Sequence, residues 1–137
     1  MIRYTDDVDA IEADRLTGFF VGWPTPASPE QHLAVLRGSH RAVVAIDEET
    51  RRVVGFVNMI SDGVLTAYIP WLEVLPEYQG RGIGTELMRR ILAGAEGFYS
   101  VDLLCEERLQ PYYARLGMRA VPGMSLIDRS ALKGATG

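Results

Sequence analysis

Apolar positions change their spacing several times along the chain, and each change marks an element. Val8, Ile11, Leu16 and Phe19 recur at roughly helical spacing behind aspartates able to cap a helix, so "DDVDAIEADRLTGFF" predicts a first helix. The preceding "MIRYTDD" predicts a short opening strand. "VGWPTPASPEQ" then breaks regular structure with a glycine and three prolines. Ser28, ahead of Pro29 and Glu30, starts a second helix through about Leu36, because proline is tolerated in a helix's first turn.

Past Gly38 the pattern becomes that of strands. "RAVVAID" and "RVVGFVNMI" are rich in β-branched residues and flank the acidic turn "EETR", which predicts a hairpin. "GVLTAYIPWLEVL" is a third extended segment, with Pro70 predicting a bulge, an edge or another irregularity at that point. Ile83, Leu87, Met88, Ile91, Leu92 and Ala95 then form the stripe of an amphipathic helix that ends near Gly94 or Gly97. "FYSVDLLC" predicts a buried strand, "LQPYYARLGM" a short helix capped by Gly117, and "RAVPGMSLIDR" a last strand or hairpin before a frayed tail, "SALKGATG". The order is βααβββαβαβ, an α/β chain with a mixed sheet and helices on both faces.

Composition narrows this picture. At 137 residues, 47% hydrophobic and 23% charged, the chain is expected to form one domain, 1–137, with an independent core. A net charge of −4 argues against nucleic-acid partners, since no basic surplus exists to neutralise phosphates. Cys105 stands alone and cannot form an intramolecular disulfide. No signal-peptide pattern and no apolar run long enough to span a membrane is present, so a cytoplasmic, membrane-free protein is expected. His32 and His40 lack metal-site spacing and are assigned to the surface, without a metal.

One stretch carries chemistry. "YQGRGIGTELMRRI" places three glycines immediately before a helix, whose N-terminus offers unpaired N–H groups and partial positive charge to an anion. A P-loop would need a lysine after its last glycine, and a dinucleotide fingerprint needs Gly-x-Gly-x-x-Gly; Gly80-Arg81-Gly82-Ile83-Gly84 has neither. An ATP-binding role is thereby disfavoured.

The stretch Gln79 to Gly84 instead resembles the (Arg/Gln)-x-x-Gly-x-(Gly/Ala) motif of the GNAT superfamily of acyl-CoA-dependent N-acyltransferases. "PYYARLGM" resembles that family's second signature. Together they cover a fold resemblance over roughly residues 1 to 127 and imply a mostly antiparallel, splayed sheet. The resemblance implies acetyl-CoA as cosubstrate, with backbone groups of Leu72, Glu73 and Val74 pairing with the pantetheine arm. It also implies that Gln79, Gly80, Arg81, Gly82, Ile83, Gly84 and Thr85 hold the pyrophosphate.

The matching tyrosine is Tyr113, implied as the general acid for the departing thiolate; Tyr112 falls on a packing position. In that family the motif follows a strand that ends in a bulge, and Glu73, just before that presumed bulge, is the candidate base, with Asp102 or water as alternatives, while a backbone N–H near Val74 or Leu75 would polarise the carbonyl. Glu106 departs from the asparagine often found there. Cys105 has no activating base beside it and reads as a small buried hydrophobe rather than a nucleophile. Phe20, Trp23 and Trp71 are candidates for either an acceptor pocket or simple loop packing. The expected activity is N-acetyl transfer by direct attack from a small amine or a peptide N-terminus. The alternative is a non-catalytic CoA-binding sensor or interaction module. Dimers are common among such proteins, so a homodimer is one possible arrangement, and the sequence does not fix the oligomeric state.

Overall fold

The computed structural model describes residues 1–131, which fall into two compact units, Met1–Asp102 and a second beginning at Leu103. The first unit is built on five strands, β1 (Ile2–Thr5), β2 (Arg41–Asp47), β3 (Val53–Ser61), β4 (Thr66–Val74) and β5 (Ser100–Asp102), in spatial order β1-β2-β3-β4-β5. Neighbours run antiparallel except for the parallel pair β4–β5. Two helices accompany the sheet, α1 (Pro29–Gly38) and α2 (Ile83–Ala93).

Strand β3 is covered on both sides, which is why its sequence is nearly continuous in apolar residues. Val53, Val54, Phe56, Val57 and Met59 are all fully buried. Phe56 meets Phe19 and the His32 ring of α1, at centroid distances of 5.3 Å and 4.2 Å. Gly55, pointing the other way, faces α2: a Cβ there would lie 3.1 Å from Leu87 Cδ1 and 3.2 Å from Ile83 Cγ2. Leu87, Met88 and Ile91 of α2 are wholly buried, so its apolar stripe packs as the sequence pattern predicts.

Local chemistry sets the helix ends. Ser28 Oγ accepts the Gln31 N–H at 3.1 Å while Gln31 Oε1 accepts the Ser28 N–H at 2.7 Å, a reciprocal capping box with Pro29 in the first turn. Pro70 also behaves as its position predicts. The pairing runs from Asn58↔Trp71 to Ile60↔Tyr68, so β4 carries one residue more than β3 around Ile69 and Pro70.

Three predicted elements differ. The first helix is two single 3-10 turns, Val8–Ala10 and Ala13–Arg15, closed by bonds from Ile11 N–H to Val8 and from Leu16 N–H to Ala13. Its apolar residues are still used, since Ile11, Leu16 and Phe19 are buried, but an Arg37 guanidinium takes the carbonyls of Asp9 and Ile11 instead of a helical ladder. The fifth strand shrinks to Ser100–Asp102. The final strand is absent among the described residues: "RAVPGMSLIDR" contains the breakers Pro122 and Gly123 and leaves Val121, Met124 and Leu126 exposed. The observed order therefore replaces βααβββαβαβ by β, two turns, αβββαβ and a last short helix, α3 (Gln110–Ala114). Of the tail predicted as frayed, residues 132–137 lie outside the described residues.

Gly55→Val is expected to destabilise the protein by about 1–3 kcal/mol through overpacking against Leu87 and Ile83. Chemical denaturation checks this, and a midpoint equal to that of the wild type would show that the β3–α2 contact has slack.

Candidate active site

The open edge of the sheet comes first in the chain of causes. Strand β5 pairs with β4 only across Thr66–Tyr68, at Thr66↔Ser100, Ala67↔Val101 and Tyr68↔Asp102. Beyond Tyr68 the other side of β4 has no strand among residues 1–102. Main-chain direction alternates along a strand, and the Leu75 N–H bonds back to Val54 of β3 at 2.9 Å. Glu73, opposite Phe56, therefore turns its own backbone groups towards β3, while those of Leu72 and Val74 turn to the open side. This revises two expectations. Of the trio Leu72, Glu73 and Val74, only Leu72 and Val74 can offer main-chain pairing to an extended ligand. Of the two candidate carbonyl polarisers, Leu75 is already used and Val74 is the one that remains.

Gln79 Nε2 donates to the Val74 carbonyl at 3.0 Å, so the glutamine fastens the end of β4 to the turn that follows. Pro76–Tyr78 is a single 3-10 turn, and Tyr78 Oη donates to Asp47 Oδ2 at 2.6 Å, tying that turn to the β2–β3 hairpin. The bond raises the tyrosine's pKa and lowers that of Asp47. Arg81 folds back with its guanidinium 4.9 Å from the Tyr78 ring and donates to the Glu77 carbonyl, so its side chain braces the turn.

Gly80 and Gly82 have φ of 80° and 81°, and a Cβ at either would meet nothing within 4 Å. The glycines are thus required by backbone conformation, and the space in front of them is open. Gly82 caps α2 with no side-chain partner, and the first backbone bond of the helix runs from Glu86 N–H to the Gly82 carbonyl. The amides of Ile83 and Gly84 precede that bond. Thr85 is exposed in the first turn.

On the α1 face of β4, Trp71 and Glu73 project side by side. Glu73 Oε1 accepts the Phe20 N–H at 2.9 Å and Oε2 accepts the Val21 N–H at 3.3 Å, so the carboxylate holds the loop ahead of α1. Phe20 and Trp23 from this loop stack with Trp71. Asp102, the alternative base, is exposed at the end of β5.

Sequence reasoning missed His32. It is not a surface residue but fully buried, ringed by Phe19, Phe20 and Phe56, and neither ring nitrogen has a partner among the described residues. Burial pushes its pKa down to about 4. Its place in the helix stripe beside Leu36 was the available signal. His40 is exposed, as expected.

In the second unit, α3 carries Tyr112 and Tyr113, whose rings meet edge to face at 5.0 Å. The helix closes on Gly117, φ 94°, with Gly117 N–H bonded to Ala114 and Met118 N–H to Tyr113, which orients the tyrosine's turn. Burial, with smaller contributions from Tyr112 and Cys105, raises the Tyr113 pKa above its ordinary value. Cys105 is free and half-buried, and Glu106 is ion-paired with Arg108 at 2.7 Å. Among the described residues no group of acidic, histidine or cysteine side chains could hold a metal, and no helix is long and apolar enough to cross a membrane.

Within the first unit, then, a strand partnered on one side beyond Tyr68 is followed by a helix whose N-cap glycine has no side-chain partner. Comparison with known proteins identifies the family. The profile of the acetyltransferase (GNAT) family matches residues 8–118, a span that runs through both units. The chain belongs to that family. A protein of Deinococcus radiodurans R1 assigned as an acetyltransferase is 39% identical with a TM-score of 0.88, over 92% of this chain and 87% of that one. A GNAT-family acetyltransferase of Streptococcus pneumoniae TIGR4 is 28% identical with a TM-score of 0.75, over 94% and 99%. The chloroplastic GCN5-related N-acetyltransferase 1 of Arabidopsis thaliana is 27% identical over 117 residues, 83% of this chain and 59% of that protein. The chain thus spans just over half the length of that curated relative.

Neutral His32 stabilises the fold fully above its ordinary pKa of 6.5, and the contribution is lost as pH falls towards about 4, because in that window only the unfolded chain takes up the proton. Stability should drop by about 2 kcal/mol between pH 7 and pH 5 from this residue alone. His32→Leu should flatten the melting temperature between pH 6.5 and 5; an unaltered slope would assign the titration to another group.

Proposed function

We infer that this chain is an N-acetyltransferase that moves an acetyl group from acetyl-CoA to a primary amine by direct attack, without a covalent enzyme intermediate. The observation that carries the reading is the open glycine turn at the uncapped N-terminus of α2, placed directly after a strand whose Leu72 and Val74 main-chain groups face an open side. The residues present fit the cosubstrate. Amides of Gly80 to Thr85 suit a diphosphate at a helix N-terminus, and Leu72 and Val74 suit an extended amide-bearing arm. Gln79 supports this cradle through its bond to Val74 rather than by reaching a ligand itself.

Acetyl-CoA supplies an acyl group activated as a thioester. The chain's own groups manage the protons. Glu73 keeps free lone pairs on both oxygens after binding the loop amides, so it can accept a proton from the incoming ammonium. The Val74 N–H is the donor left for the carbonyl oxygen as charge develops on it. Tyr113, protonated at neutral pH as a phenol and with its pKa raised further by burial, is assigned as donor to the sulfur. One N–C bond forms and one C–S bond breaks; of the two protons the nitrogen loses, one ends on the thiol and one is released. On this reading both units belong to one catalytic domain, the acceptor is a small amine or a peptide N-terminus, and the acidic, single-cysteine chain works in the cytoplasm. No observation favours a CoA-binding role without catalysis.

Gly82→Val should weaken CoA binding at least about tenfold by calorimetry, because a β-branched residue resists a φ of 81°. Unchanged affinity would remove the cradle from the proposal. Tyr113→Phe should lower turnover about 100-fold, followed by thiol release, with CoA affinity intact. Equal loss of binding and turnover would make Tyr113 a packing residue.

A further inference from the structure

Strand β4 presents two adjacent side chains on one face, Trp71 and Glu73, and the loop ahead of α1 is built onto both. The loop is held in an unusual backbone course. Gly18, Phe20 and Gly22 have φ of 91°, 62° and 87°, and a non-glycine residue pays for such a φ unless its surroundings impose it. Here they do: the Glu73 carboxylate takes the amides of Phe20 and Val21, the Phe20 ring is buried, and the Trp23 N–H closes a turn onto the Phe20 carbonyl at 3.2 Å. The outcome is a fixed placement of Trp23 against Trp71, with ring centroids 5.2 Å apart and planes tilted by 60°.

Packing alone does not explain this arrangement. Trp71 remains 38% exposed and Trp23 is half-buried, so the chain's two tryptophans sit together at the surface rather than in the core. The Glu73 carboxylate has no cationic partner among the described residues, and its bonds there are to backbone amides. A carboxylate without a counter-ion, beside two part-exposed indoles, is complementary to an organic cation with a flat apolar body. Charge meets Glu73, and the body lies on the indoles.

We propose that Trp71, Trp23 and Glu73 form the acceptor subsite, and that the acceptor is a primary amine carried on a short arm from an aromatic ring. This rests on the N-acetyltransferase reading, which leaves the amine's class open. Trp71 and Trp23 are specificity residues and Glu73 receives the ammonium. A simple alkylamine of equal charge meets Glu73 as well but has little to place on the indoles.

Because Trp23 and Trp71 are the only tryptophans, intrinsic fluorescence reports on this subsite alone. The full chain is titrated with 2-phenylethylamine and with n-butylamine, exciting the tryptophans selectively. A saturable change with 2-phenylethylamine, at least about fivefold tighter than with n-butylamine, is expected. No saturable change, or equal affinities, overturns the proposal. Thiol release from acetyl-CoA is then compared for Trp71→Ala and Trp71→Phe. The ratio of kcat/KM for 2-phenylethylamine to that for n-butylamine should fall at least about fivefold in the alanine variant and stay closer to wild type in the phenylalanine variant. A smaller fall overturns the assignment of Trp71. Should the alanine variant fail to fold, the wild-type titration still decides. Binding of 2-phenylethylamine with no thiol release from any amine would sink the catalytic reading while leaving the subsite standing.

Discussion

Everything at this site follows from the unequal pairing of strand β4. At Ala67 and Tyr68 β4 is paired on both sides, with β3 and β5; after the extra residue at Ile69 and Pro70 it is paired with β3 alone among the described residues. Main-chain groups on that side need water, a side chain or a ligand as partner, and the Val74 carbonyl takes Gln79. On the proposed function an extended ligand lies alongside the remainder. The same bulge shifts the register so that Glu73 and Leu75 bond inwards to β3, leaving Leu72 and Val74 outward. The backbone of one strand thus separates a side paired with β3 from a side open past Tyr68, residue by residue.

The glycine turn depends on that strand and on supports around it. Gln79 reaches back to Val74, Tyr78 is anchored to Asp47, and Arg81 lies on Tyr78. None of these side chains needs to touch a phosphate. They hold the turn so that Gly80 and Gly82 can keep a left-handed backbone with open space before them. Preorganised amides lose less entropy on binding an anion than a mobile loop would, so the proposed cradle would draw its affinity from the main chain rather than from Arg81.

Much of this was legible in the sequence where local rules decide. Ser28 with Gln31 marked a helix start, Pro70 marked the break in pairing, and the glycines marked the left-handed turn ahead of α2, because each effect acts over a few residues. The failures have tertiary causes. The segment Val8 to Phe19 has a helical spacing of apolar residues, yet Arg37 from α1 captures its carbonyls and shortens it to two turns. His32 reads as polar, but three phenylalanines from distant positions converge on it and exclude water. For "RAVPGMSLIDR" the β-branched and apolar content suggested a strand, and Pro122 with Gly123 outweighed it. The roles of Glu73 towards Phe20 and Val21 were invisible for a further reason: residues more than fifty positions apart cannot signal contact through periodicity.

Main chain and side chains therefore divide the work. The features that suit a CoA-like arm are amides, carbonyls and glycine conformations, which many sequences can supply; the Deinococcus radiodurans protein keeps the fold at a TM-score of 0.88 with 39% identity. The features next to the proposed base are particular side chains, namely two indoles and a carboxylate that also shapes the loop carrying one of them. Glu73 joins the two halves. Its backbone belongs to the β3–β4 ladder and its carboxylate to the loop, so a change there disturbs the placement of Trp23 along with whatever proton the proposed base accepts. On the proposed reading specificity and proton transfer are coupled through this residue, because its carboxylate holds the loop that carries Trp23 while the main-chain groups of its neighbours Leu72 and Val74 face the open side.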